Sequence, residues 1–461
     1  MSKLWQLSAA DIAKMVSNKE VSAEEVATSH LDRIDEVNPV LNALTIVERE
    51  APLKAKTFDQ GNRSGKLPGV TFTSKINVDH AGYPTDDGVA FLAGDIATET
   101  TSTVLGLEEA GATMMGRSNA PALAFRIHTG NELHGETFNP FDKAITPGGS
   151  SGGAGVAVAT GMCAVAQGND IGGSIRWPAF CNGIYGLRPS MGRMNVMRTN
   201  TAAPRFASSM TMSTNGPLAR TVEDLWLAFE AMSQRDSDDP RKTPVALTGL
   251  QKPTSKKVAL VTNDGHAMST ETKQALQTAG KHLEAAGYEV EEINPPMLEN
   301  TFSLWMRIAA PELIHQTDLM MQIPDEDFVT WTRDVIQTFP TLEPDTYFKA
   351  IVERDLIGRA WMKFMNDFPL MIMMNASNNS MPARYDTQGL DAVNDVFETL
   401  RYQFSLPALG FPVLQAPINV GIPKPNGVQI VGSPFREDLL FDAAREIEIR
   451  EGKRPVVDVA W

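Results

Sequence analysis

The pattern of apolar and polar positions changes period several times along this chain, and each change marks an element. Near the start, Ser8 precedes AADIAKM, and Ser22 precedes a stripe of Val26, His30 and Ile34 at helical spacing. Ser22 and Glu25 stand three residues apart, the spacing at which the two side chains satisfy each other's unpaired backbone amides in a capping box. Two N-terminal helices are therefore predicted, the second ending at Pro39, whose ring and missing N–H oppose helix propagation. From Pro68 to Thr73 the pattern alternates among β-forming side chains, which places Lys75 at the end of a strand. No further strand-like run is read until after a glycine-rich block at 148–192. Within that block GGAGVAVATG predicts a small-faced buried helix with Ser150 and Ser151 at its N-terminus and Gly161 at its end.

From Lys257 to Ile293 the pattern reads strand, helix, strand, through KVALVTNDG, ETKQALQTAGKHLEAAG and YEVEEI. That unit needs a parallel or mixed sheet, so the fold class is α/β. Residues 300–375 read as helical and are rich in Met and Trp, including Trp305, Trp331, Trp361 and the run MIMMN at 371–375. Most of these side chains are expected in the core. The remainder suit a pliable wall of an apolar substrate pocket, because the thioether of methionine adapts its shape. A weak linker candidate lies at 233–252, and no internal repeat is found.

Composition narrows the partners. A net charge of −15 repels phosphate backbones and anionic lipid, so neither nucleic acid nor a membrane surface is expected as a partner. The two cysteines, Cys163 and Cys181, offer no disulfide framework or zinc spacing and read as small core residues. With no signal-peptide pattern in MSKLWQLSAADIAKM, a cytoplasmic location is expected. The seven histidines include no HExxH pair, and neither a metal nor a cofactor is expected. The oligomeric state is left open.

Three elements carry candidate chemistry: Lys75 in SKINVDHAG, Ser150 in PGGSSGG and Ser174 in GNDIGGSIRWPA. The run to Ser174 sets the backbone amides of Ile171, Gly172, Gly173 and Ser174 in a turn whose glycines leave room for a ligand, a nest suited to an oxyanion. A serine needs a base, and no histidine lies in either glycine block. A buried lysine can serve, because desolvation disfavours its charged form. Ser150 is the first choice to bridge the lysine to Ser174, with its neighbour Ser151 as the alternative bridge or as a helix cap. The string GGSSG also fits a nucleophile elbow, but that reading needs a strand running into Ser150, and the polar DKAIT with Pro147 precedes it. Asp170 and Arg176 read as a hydrogen-bonded pair supporting the turn. His128 and His134 are candidates to touch substrate or to be structural.

The blocks PGGSSGG, NDIGGSIRWPA and GIYGLRPS, with VSAEEV, ETFNPFD, NGPLARTVEDL and GVQIVGSPFRED in order around them, resemble the amidase signature family over nearly the whole chain. That resemblance implies one catalytic domain over 1–461 with a large mixed β-sheet core covered by helices on both faces. It implies hydrolysis of amide C–N bonds, with carbamates, anilides and esters as variants, through an acyl-enzyme. Ser174 would attack, Ser150 would follow a cis peptide bond and relay the proton, and Lys75 would be the base. The sequence departs from the family where Ile76 replaces the aspartate that usually follows the lysine, and where Ala120, Pro121 and Ala122 replace the usual Pro-Glu step. Two rival readings are a glutamine-hydrolysing subunit of a tRNA-dependent amidotransferase and a silent binding protein on the same fold.

Overall fold

Capping chemistry sets the first helices. In the computed structural model, which describes residues 3–61, 65–196, 206–234, 239–339, 343, 345–379, 381–418 and 424–461, the Ser8 hydroxyl accepts the Asp11 N–H at 3.1 Å and starts the helix Ala9–Ser17. Ser22 and Glu25 form the reciprocal capping box at the head of the helix Ala23–Leu41. This helix runs through Pro39 rather than ending there. A proline in the last turn forfeits little more than its own N–H bond, and the chain leaves the helix at Asn42, whose φ of 49° is left-handed.

Among the described residues thirteen strands follow in chain order: β1 (Leu44–Val47), β2 (Thr71–Lys75), β3 (Thr113–Ser118), β4 (Gly130–Asn131), β5 (Gly135–Glu136), β6 (Val165–Asp170), β7 (Tyr185–Arg188), β8 (Thr214–Ala219), β9 (Lys257–Leu260), β10 (Glu289–Glu292), β11 (Leu370–Met374), β12 (Val413–Pro417) and β13 (Gly427–Gly432). Apart from the small hairpin of β4 and β5, they form one sheet in the order β1-β3-β2-β6-β8-β7-β12-β13-β11-β9-β10. The sheet is mixed. Strand β2 is parallel to β3 and β6, β9 is parallel to β10 and β11, and the pairs between β6 and β13 through β8, β7 and β12 are antiparallel. The helix Gly152–Ala159 packs on β2, β6 and β8 with Arg176–Cys181 beside it. On the opposite face Val222–Gln234, Glu437–Glu451 and Thr270–Ala285 pack along the sheet in succession.

Several strand assignments differ from the sequence reading: β3 to β7 fall before or inside the glycine-rich block, where no strand-like run is read. Strands β3 and β6 are present, although TMMGRS and VAQGND do not look apolar enough. Most of their polar side chains are buried and some reach the site: Gln167, for instance, accepts the Lys75 backbone N–H at 3.1 Å. The run LMIMM at 370–374 is a fully buried strand rather than helix, since short apolar runs carry no period to separate the two. Of the linker candidate, residues 235–238 lie outside the described residues and its start belongs to the helix Val222–Gln234. Among the described residues no helix is long and apolar enough to cross a membrane.

Candidate active site

The sheet brings the separated sequence motifs together at one end of β2 and β6. Lys75 closes β2, fully buried, and β6 carries Asn169 and Asp170 at its own end, one strand away. The Lys75 Nζ stands 2.7 Å from the Ser150 Oγ and 2.8 Å from the Asn169 Oδ1. Asn169 is held in turn, its Nδ2 donating to Asn77 Oδ1 at 2.8 Å. The Gly149–Ser150 peptide bond is cis. The neighbouring Ser151 does not reach the lysine: its hydroxyl lies 3.5 Å from the Asn169 carbonyl, and it makes no side-chain cap to the helix Gly152–Ala159. Of the two serines, Ser150 is the one bonded to Lys75.

Burial of Lys75 pushes its pKa from 10.5 down to about 7, against the opposing pull of Asp87 and Asp170. Among the described residues no carboxylate bonds the amine directly, and Ile76, which follows it in the chain, is an apolar buried neighbour. The difference matters. At pH 7 an ordinary lysine is neutral in about one molecule in 3,000, whereas a group titrating near 7 is neutral in about half. A neutral amine can donate one N–H to Asn169 and still offer its lone pair to the Ser150 hydroxyl.

Ser174 lies in the turn after β6 and is 8% exposed, against 1% for Ser150. The Ser151 N–H donates to the Ser174 carbonyl at 3.2 Å, which fixes the two serine segments against each other. Of the four amides expected to form an anion nest, the N–H groups of Ile171, Gly172 and Ser174 donate to no described residue. The fourth is different: the Gly173 N–H is already bonded to the Asp170 Oδ1 at 2.9 Å, because the turn folds back over its own carboxylate. Gly173 has φ +102°, and a Cβ there would sit 2.6 Å from the Cβ of Gln403, so only glycine fits.

Asp170 and Arg176 form a fully buried two-point pair, with Nε to Oδ2 at 3.0 Å and Nη2 to Oδ1 at 3.1 Å. Burial would raise the Asp170 carboxyl, but the charges of Arg176 and Arg188 outweigh it and hold the pKa below the ordinary value. Arg176 also bonds the carbonyls of Tyr402 and Gln403 and the Gln429 side chain, tying the turn to distant parts of the chain. Removing one partner strands a buried charge, so Arg176→Ala is expected to lower the unfolding free energy by about 3–5 kcal/mol. Equilibrium denaturation measures it, and a loss under ~1 kcal/mol would contradict the pairing.

The other candidates fall outside this cluster. His128 is held between Thr146 and Glu136 at 2.9 Å each, and His134 bonds Asp86 at 3.0 Å. No strand runs into Ser150, which the elbow reading needed. Cys163 and Cys181 are buried free thiols, and burial pushes the first up to about 12 and the second well above its ordinary value. Asn169, Asn77 and Gln167 were missed by sequence reasoning. Asn169 had a signal, standing next to Asp170 in the same motif. The Met- and Trp-rich segment does reach the turn: the Trp305 indole N–H donates to the Ile171 carbonyl at 2.8 Å. Beyond Trp305, the rings of Phe404, Phe397 and Trp331 follow in contact. Trp361 points elsewhere, into the core against Phe411.

Comparison with known proteins gives the same picture of relatedness. A family model described as Amidase matches residues 25–441. An indoleacetamide hydrolase of Bradyrhizobium diazoefficiens is 38% identical over 97% of this chain and 87% of its own length. One of the subunits of the glutamyl-tRNA(Gln) amidotransferase of Carboxydothermus hydrogenoformans is 29% identical over 97% of each chain. Among solved structures, a fatty acid amide hydrolase superposes with a TM-score of 0.85 at 22% identity, covering 97% of this chain and 86% of its own.

Proposed function

This chain belongs to the amidase family and hydrolyses amide carbon–nitrogen bonds, and from that premise we propose that its substrates are small amides with an aromatic acyl group, cleaved through an acyl-enzyme on Ser174. The observation that carries the mechanism is the fully buried Lys75 amine 2.7 Å from Ser150, with its pKa lowered to about 7. Ser174 Oγ attacks the carbonyl carbon. Its proton passes to Ser150 Oγ as the Ser150 proton passes to neutral Lys75, which becomes the ammonium. The carbonyl oxygen takes the negative charge facing the free amides of Ile171, Gly172 and Ser174, each such donor contributing up to about 3–4 kcal/mol to the transition state. The proton then returns along the same two groups to the leaving nitrogen, the C–N bond breaks, and the amine or ammonia departs. Water, deprotonated by the same relay, attacks the ester carbonyl and releases the acid.

Two observations favour an aromatic acyl group: the connected rings of Trp305, Phe404, Phe397 and Trp331 beside the turn, and the whole-length likeness to an indoleacetamide hydrolase. The likeness to the amidotransferase protein supports glutamine as the rival substrate at lower identity. The purified chain tested alone on indole-3-acetamide, phenylacetamide, a phenyl carbamate, hexanamide and glutamine separates the two. The aryl amides are expected to have the highest kcat/KM. Turnover of glutamine alone, or only with added partner proteins, would sink the proposal.

A further inference from the structure

The three free amides of the turn share a property that the catalytic roles do not explain. In a trans peptide the C=O and N–H point in opposite directions, so a bond to the carbonyl fixes where the amide of the next residue points. Each free N–H belongs to a peptide unit whose carbonyl is held from behind. The carbonyl of Asp170, which shares its unit with the Ile171 N–H, accepts from Arg188 Nη1 at 2.6 Å. The carbonyl of Gly173, paired with the Ser174 N–H, accepts from the Trp177 N–H at 2.7 Å. Between them, the carbonyl of Ile171, paired with the Gly172 N–H, accepts from the Trp305 indole at 2.8 Å.

The first two anchors come from β7 and from the helix that begins at Arg176, both close to the turn in sequence. The third comes from 134 residues away. Gly172 is also the position with least local restraint: it has no side chain, and its flank is covered by Phe404, whose ring would lie 3.1 Å from an added Cβ. A peptide unit between Ile171 and a glycine can rotate at little steric cost unless something grips it.

We infer that Trp305 is a positioning residue for the oxyanion-binding turn, its indole N–H gripping the Ile171 carbonyl so that the Gly172 N–H faces the substrate oxygen. The inference rests on the reading of Ser174 as nucleophile and of these amides as the oxyanion site. It makes the aromatic wall more than a lining. The same side chain that borders the acyl group sets the amide that stabilises the charge, so ring contact and donor alignment are separable functions of one residue.

Trp305→Phe keeps a ring and removes the donor. With phenylacetamide as substrate, kcat is expected to fall about 30-fold, less than the ~10²–10³ that follows loss of a whole oxyanion donor. Phenylacetaldehyde, which forms a tetrahedral adduct with a serine hydroxyl, is expected to bind more weakly by about the same factor, whereas KM and the inhibition constant of phenylacetate stay within about threefold. Should the phenylalanine variant not fold, 3-benzothienylalanine at position 305 keeps the bicyclic shape without an N–H and is read in the same way. An unchanged kcat, or a common shift of all four constants, would overturn the inference while turnover that depends on Ser174 keeps the underlying reading intact. Wild-type turnover that survives Ser174→Ala would overturn both.

Discussion

Ser174→Ala is expected to lower kcat on an aryl amide by about six orders of magnitude with little change in KM. The substitution removes one oxygen from a turn held by other groups: Asp170 bonds the Gly173 and Ile175 amides, Arg176 clamps Asp170, and the Ser151 N–H holds the Ser174 carbonyl. The turn therefore keeps its shape, and the loss measures chemistry rather than folding. Some rate over water remains because the free amides still polarise the carbonyl. Ammonia release under single-turnover conditions gives kcat, and covalent labelling by a fluorophosphonate is expected at Ser174 in the wild type and nowhere in the variant. A loss below ~10²-fold would assign the attack to another group.

Lys75→Met is the second large effect. Methionine fills the buried space of the lysine stem, so packing changes less than with alanine, and only the amine is lost. Ser150 then has no base behind it, and kcat at pH 7 is expected to fall by about 10⁴, the upper range for removal of a general base. Circular dichroism and the thermal midpoint check that the fold survives. A variant retaining a tenth or more of the wild-type rate would show that the proton leaves Ser174 by another route.

Much of this site is legible in the sequence, for a physical reason. Nucleophile turns that must leave amides open need glycine, and glycines at 172 and 173 followed by a serine are visible in any sequence. The helix starts are visible because a serine cap and its glutamate partner act over three residues. What stays hidden depends on contacts remote in sequence. Nothing in the 300–375 region shows that Trp305 points at Ile171 while Trp361 points into the core, since both sit in similar helical patterns. Strands β3 and β6 escape notice because Arg117, Gln167 and Asn169 read as surface residues until their partners are known. The bound state of the Gly173 amide is equally invisible, because it follows from how Asp170 folds under the turn.

The pH dependence of kcat/KM for the wild-type enzyme on a neutral aryl amide addresses the base most directly, since that ratio reports the ionisation of the free enzyme. In the proposed mechanism neutral amine is the active form, so the neutral fraction, and with it the rate, grows as the proton is lost. The account predicts a rise of about tenfold per pH unit on the acid side, a bend near the Lys75 pKa of about 7 and a plateau above it. A profile that is flat from about pH 5 to 9, or that bends only above ~10 where an ordinary lysine titrates, would contradict it.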